Sequence, residues 1–264
     1  MSCKTSLKKV VWLHSWFLKT QRWEAPMGSI EEMFPVEARP YDFSSVRSGL
    51  VLVDLVNGFA TPGAGALAPP DGDKSYERVK ALAAQWARTF AEASRPVLAF
   101  QDSHPPGQIE PPYPVHCEAG SGEDDLIEEL RWLETEPQAT LIRKDCINGF
   151  IGAIDPDTQK NRVVDWVVDN NLDAVICLGI CTDICVMDFV LTLLSARNHG
   201  LLGRLRDVVV FAPACTTYDL PHSYVAANAD LPATACHPQA ESHHMGMYFM
   251  ASRGAIMASD LVHS

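Results

Sequence analysis

The sequence predicts an α/β fold, a three-layer αβα sandwich with a mostly parallel central sheet. Two observations predict it. From residue 49 onward, short apolar runs alternate with longer amphipathic stretches, the pattern that sets parallel strands between covering helices. The chain has 264 residues, 47% of them apolar, with no internal repeat or low-complexity tract, which suffices for one sizeable core.

Taken in order, the first 23 residues hold Lys4, Lys8, Lys9, Lys19 and Arg22 with no acid, around an apolar stretch at 10–18. That composition fits a transit peptide or a poor signal peptide. His14 and Ser15 interrupt the apolar stretch, however, and no small-residue cleavage site follows, so a disordered extension is the alternative. Met27 offers a second start that would omit the segment. Residues 30–45, with Pro35 and Pro40, read as a linker or a strap on the domain surface. The expected division is therefore an extension at 1–45 and one domain at 46–264. Strands are expected at 50–54, 96–100, 140–143, 174–179 and 207–211, with a last one near 255–258. Helical spacing and composition mark 74–94, 123–134, 160–170, 182–199 and 238–253. Right-handed crossovers between the strands then give the sandwich.

Charge and cysteine usage exclude several roles. The formal net charge is −12 and no basic stripe follows residue 25, so nucleic acid is not an expected partner. The longest uncharged apolar run of the body, 174–182, falls far short of the ~20 residues of a membrane helix, and a soluble body is expected. Eight cysteines stand at 3, 117, 146, 177, 181, 185, 215 and 236, none in C-x2-C spacing, which disfavours a closed thiolate metal site. Reduced thiols and a cytoplasmic setting are the expectation. No strand is followed by G-x-G-x-x-G, since Gly63-Ala64-Gly65 lacks the third glycine and a helix start, and no P-loop is present.

In a doubly wound sheet, reactive groups gather where strands end at their carboxyl edge. Four expected strand ends carry chemistry. Asp54 closes the first strand, Asp102 and His104 follow the second, Lys144 follows the third, and the fourth runs into Gly179-Ile180-Cys181-Thr182-Asp183-Ile184-Cys185. Cys185 falls in the first turn of the helix opened by Thr182. Unpaired amides and the positive dipole end there favour a thiolate, so a lowered thiol pKa is expected. The same amides can receive the oxyanion of an acyl intermediate. A thiol nucleophile needs a base and profits from a cation, roles that Asp54 and Lys144 fit. Singly, each has an ordinary reading: Cys185 as packing, Asp54 as a turn cap, and Lys144 paired with Asp145 or facing solvent.

Asp102-x-His104, with His116 twelve residues on in a proline-rich loop, offers two imidazoles and a carboxylate without a thiolate. That is the donor set of an open site for one divalent ion, Zn²⁺ first, with Fe²⁺ and Mn²⁺ as alternatives. Glu110 is a candidate fourth ligand or supporting acid. Cys117, read as extended chain, points away from His116 and is left out of the set. His243 and His244 are adjacent on a helix, cannot face one metal together, and read as structural.

These blocks carry a resemblance. Val51-Leu52-Val53-Asp54-Leu55-Val56-Asn57-Gly58-Phe59, Asp102-Ser103-His104 with Tyr113-Pro114-Val115-His116-Cys117, Arg143-Lys144-Asp145 with Asn148-Gly149-Phe150, and Gly179 through Val186 occur in the order found in the nicotinamidases of the isochorismatase-like cysteine hydrolases. The chain resembles the plant members above all, over about 49–258. The resemblance implies Asp54, Lys144 and Cys185 as catalytic triad, and Asp102, His104 and His116 as metal ligands. It also implies a cis bond from Ile180 to Cys181, with the Cys181 and Cys185 amides as oxyanion donors, and Phe59 and Tyr113 about a pyridine ring. Nicotinamide is the implied small-molecule substrate, hydrolysed to nicotinate and ammonia in NAD salvage; a homo-oligomer is left open. The chain departs from many relatives in carrying Val56 and Gly58, where a Gln and a second acid are frequent, and Tyr113 where Trp is frequent. The rival readings are a related amidohydrolase of ureido or carbamoyl compounds, which has no need of the metal set, and a non-catalytic small-molecule binder on the same fold.

Overall fold

The computed structural model describes residues 28–263, so the basic segment with its targeting reading lies outside the described residues. Among the described residues, seven strands form one sheet: β1 (Arg39–Asp42), β2 (Ser48–Val53), β3 (Val97–Asp102), β4 (Ala139–Lys144), β5 (Ala174–Ile180), β6 (Asp207–Thr216) and β7 (Ile256–Val262). Their order is β1-β7-β6-β5-β2-β3-β4, and every neighbouring pair is parallel. The chain winds outward from β2 through β3 to β4, returns to β5 beside β2, and winds outward again through β6 to β7. The switch point therefore falls between β2 and β5, where such sheets open a crevice at the carboxyl ends of the strands.

The helix Lys74–Glu92 packs along β6 and β2, and the helices Met187–His199 and Gln239–Ser252 pack on each other and on β6. All six residues of β2 and all seven of β5 are buried, as expected of central strands covered on both faces. The helices start where the sequence supplies a cap. Asp73 accepts the Ser75 and Tyr76 amides at 2.8 and 3.4 Å, and Asn161 accepts those of Val163 and Val164 at 2.9 and 3.2 Å. Gly179, with φ +133°, brings β5 onto β2. A Cβ there would stand 2.2 Å from the Val53 carbonyl oxygen, so only glycine permits this approach at the crevice.

Four elements differ from expectation. Residues 39–42, read as linker or strap, form an edge strand on β7. Pro40 is compatible with it because an edge strand has one side that makes no ladder bonds. The helix expected at 123–134 is a 3₁₀ helix confined to Glu128–Thr135. Upstream, the Asp125, Glu123 and Leu55 carbonyls accept the amides of Asn57, Gly58 and Ile127, so 123–127 pairs with 55–58 instead of coiling. The helix expected at 182–199 opens as a π turn, Thr182–Val186, before the α-helix Met187–His199. The strand expected at 207–211 runs on to Thr216. Among the described residues, no helix is long and apolar enough to cross a membrane.

Candidate active site

The strand register brings the predicted residues to one edge. Val53 pairs with Gly179, and Asp102 at the end of β3 pairs with Lys144 at the end of β4. Asp54 follows β2 directly, and its left-handed backbone, φ 51°, turns the chain there. Its amide donates to the Phe100 carbonyl at 3.2 Å.

Asp54, Lys144 and Cys185 come together, all buried, with relative exposures of 0%, 2% and 9%. Lys144 Nζ lies 2.9 Å from Asp54 Oδ2 and 2.7 Å from Asp102 Oδ1, so it neither pairs with Asp145 nor reaches solvent. Neither Asp54 carboxylate oxygen has a well-aligned hydrogen-bond donor; the Lys144 ammonium and the Cys185 thiol are the donors beside it. Burial lifts the Asp54 carboxyl to about 6, against the pull of Lys144. Burial works against the Lys144 ammonium too, but Asp54, Cys185 and Asp102 outweigh it and hold the ammonium firmly protonated.

The thiol departs from expectation. Burial pushes Cys185 well above the ordinary cysteine range, with Lys144 opposing, so the resting group is a thiol and not the thiolate inferred from its place at a helix start. The dipole argument accounts for the turn's amides but not for desolvation of the sulfur, which depends on side chains distant in sequence. The Ile180–Cys181 peptide bond is cis.

The second cluster is contiguous with the first. His104 Nε2 and His116 Nε2 lie 3.0 and 3.2 Å from Asp102 Oδ2, and one donor atom from each of the three residues falls within 4.8 Å of the other two. His116 Nδ1 donates to the Pro114 carbonyl at 2.7 Å, which fixes the tautomer and leaves the Nε2 lone pair facing inward. Burial would raise the Asp102 carboxyl, but Lys144, His104 and His116 together hold it far below the usual carboxylate range. Two imidazole nitrogens and an ionised carboxylate converging in this way fit a divalent ion. Glu110 Oε2 stands 3.9 and 3.8 Å from the two Nε2 atoms, within reach as a further oxygen donor. Cys117 is not extended, having φ 45°, and its sulfur packs against Gly58, outside the donor cluster. A Cβ at Gly58 would stand 2.7 Å from that sulfur and 3.2 Å from Glu123 Oε2, so the missing side chain at 58 makes room for both. His243 Nδ1 bonds the Thr182 hydroxyl at 2.8 Å and His244 donates to the Phe34 carbonyl at 2.8 Å; neither joins the cluster.

Both clusters open into a cavity of about 390 Å³, the size of a small-molecule site. Asp102, His116, Glu110, Cys181 and Cys185 line it together with Phe59 and Tyr113, whose ring centroids lie 5.4 and 6.2 Å from that of His116. Sequence reasoning missed Ile147, Ile184, Tyr218 and Leu220 on the walls. Tyr218 and Leu220 follow β6 at the same carboxyl edge, and the rule that found the other residues would have found them had the strand been carried past 211.

An isochorismatase domain model matches residues 48–256. Nicotinamidase 1 of Arabidopsis thaliana is 48% identical over 213 residues, 81% of this chain and 86% of the relative. A crystal structure of a nicotinamidase from Bacillus subtilis is similar in fold, with a TM-score of 0.58 at 20% identity, covering 81% of this chain and 99% of that one. A pyrazinamidase of Pyrococcus horikoshii in complex with zinc is similar at a TM-score of 0.54 and 20% identity, covering 83% and 99%.

Proposed function

This chain belongs to the isochorismatase domain family, and from that premise we propose that it is a nicotinamidase, hydrolysing nicotinamide to nicotinate and ammonia through a Cys185 thioester. The observation that carries the reading is Lys144, ion-paired at once to Asp54 beside the thiol and to Asp102 in the donor cluster, behind a cavity that Cys185 and Asp102 both line.

Asp54 is the general base. At about 6, its carboxyl is ionised near neutrality yet more basic than an ordinary aspartate, which suits it to take the proton of a buried thiol. The sulfur attacks the carboxamide carbon, and the oxyanion rests on the amide of Cys181, the residue before the π turn, and that of Cys185 within it. Asp54 hands its proton to the departing nitrogen, ammonia leaves, and the nicotinoyl thioester remains. A water molecule, deprotonated by Asp54, then cleaves the thioester, releasing nicotinate and restoring the thiol. Lys144 keeps Asp54 ionised between steps. Phe59 and Tyr113 flank the ring. Asp102, His104 and His116 would hold the divalent ion, zinc in this reading, with Glu110 beside it; when bound, it supplies a Lewis acid that anchors the ring nitrogen. A cytoplasmic, reducing setting is part of the proposal, supported by seven cysteines that are free among the described residues.

The test is a carboxamide panel. Ammonia should be released from nicotinamide and pyrazinamide, weakly from benzamide, which lacks the ring nitrogen, and not from a ureido compound. A chelator should stop turnover and added zinc restore it. Preferential release from the ureido compound, indifferent to chelator, would favour the rival amidohydrolase. Separately, His104→Ala should lower bound metal by elemental analysis and nicotinamide affinity together, by at least ~10-fold, since the loss of one of three donors exceeds the effect of losing a residue that only orients one. Unchanged metal content would remove His104 from the ligand set.

A further inference from the structure

We propose that His237 is a positioning residue that fixes the Tyr218 wall of the substrate pocket to the turn carrying the nucleophile. After β6, Tyr218 and Leu220 line the cavity. The chain then makes an excursion through the short helices His222–Ala227 and Ala233–Ala235 and returns at His237. There Leu220 and His237 exchange two backbone hydrogen bonds of 2.8 Å, closing the base of the excursion.

The His237 ring stacks on the Tyr218 ring with centroids 3.9 Å apart and planes 13° from parallel. Its Nδ1 donates to the Tyr218 carbonyl at 2.9 Å, and its Nε2 lies 2.8 Å from Asp183 Oδ2. Asp183 stands in the π turn, two residues before Cys185. A carbonyl and an ionised carboxylate only accept, so the imidazole donates from both nitrogens and is held as a cation between them. Burial opposes this charge, but Asp183 and the Tyr218 carbonyl outweigh it. Gln239 adds a second fastening, donating Nε2–H to the Thr217 carbonyl at 2.7 Å. The wall is thus registered on the nucleophile turn itself, through Asp183, His237 and Tyr218 in series. Among the described residues, no hydrogen bond or ion pair joins these three side chains to the sulfur or to the donor cluster. Their contribution is to ground-state and transition-state binding alike, which moves KM and leaves kcat nearly untouched.

The inference rests on the cavity being the nicotinamide site. His237→Phe retains the ring for stacking and folding but loses both donors; Tyr218→Leu removes the wall ring. Each should raise the KM for nicotinamide at least fivefold with kcat within twofold. The double variant should be no worse than Tyr218→Leu alone, because residues acting in series do not add. An unchanged KM in His237→Phe, a fall in kcat in its place, or additive effects would overturn the inference. If the parent protein releases no ammonia from nicotinamide, the functional reading fails by itself. The same three variants are then compared by the rate at which iodoacetamide modifies Cys185, read by peptide mass spectrometry. Equal, non-additive acceleration in both single variants upholds the positioning role, and an unaltered rate in His237→Phe overturns it.

Discussion

Replacing Cys185 by alanine should abolish ammonia release from nicotinamide, with a loss in kcat of ~10³-fold or more, because it removes the sulfur placed beside Asp54 and Lys144 to form the thioester. Folding and metal content should survive. The substitution removes one buried sulfur, which in a packed interior costs on the order of 1 kcal/mol, and leaves Lys144 with both of its carboxylates. Cys185→Ser sharpens the test. A hydroxyl at the same place keeps a proton for Asp54 to take, but its alkoxide is far harder to form than a thiolate, so serine should fare little better than alanine. The high resting pKa of the buried thiol adds a consequence. Asp54 acts twice in acylation, taking the thiol proton and returning one to the departing nitrogen, so its loss stops the step at both points. With a resting thiol, Asp54→Asn should be about as inactive as Cys185→Ala when pre-steady-state acylation is followed directly. Retention of a tenth of wild-type turnover in Cys185→Ala would remove this residue from the mechanism.

The site was legible in sequence to the extent that strand ends were legible. Asp54, Asp102, Lys144 and the 179–185 turn each adjoin an apolar run whose length and flanks identify it as a strand, and a parallel sheet does the rest by bringing carboxyl ends together. The fold was legible for the same reason, since β2 and β5 are nearly pure apolar runs. What was lost was lost to proline and to long-range pairing. Pro213 sits inside β6, in a stretch where the register against β5 shifts between Cys177 and Gly179, and a proline argues against a central strand. Stopping at 211 hid Tyr218. Pro40 hid β1 similarly, though an edge strand tolerates it. The 123–127 segment looks helical in isolation because its acids and apolar residues have helical spacing. Its backbone is instead committed to 55–58, and the Asp124 carboxylate accepts from Ser103 at 2.8 Å and from Arg143, contacts no local pattern reveals. His237 and Asp183 are 54 positions apart and share no motif.

Lys144→Met should cost both stability and turnover. The ammonium is buried between two carboxylates, 2.9 Å from Asp54 and 2.7 Å from Asp102, which are themselves 0% and 1% exposed. Methionine fills most of the stem's volume but leaves the two acids facing each other without a cation. Removing one member of a buried ion pair destabilises by roughly 3–5 kcal/mol, because the partner's charge is left in a poor solvent. The urea midpoint should fall accordingly. Catalysis fails for a linked reason. Burial already lifts Asp54 to about 6 against the pull of Lys144, so without that pull the carboxyl rises further and carries a proton at neutral pH. A protonated Asp54 cannot take the thiol proton, and kcat should drop by ~10²–10⁴-fold, the usual worth of a general base. The two effects separate experimentally, since turnover per folded molecule can be measured well below the unfolding transition. A variant with a lowered midpoint but kcat within tenfold of the parent would make Lys144 a structural cation only. Loss of both, with the metal still bound, would place it at the base: a single ammonium that keeps Asp54 ionised beside a thiol too buried to ionise alone.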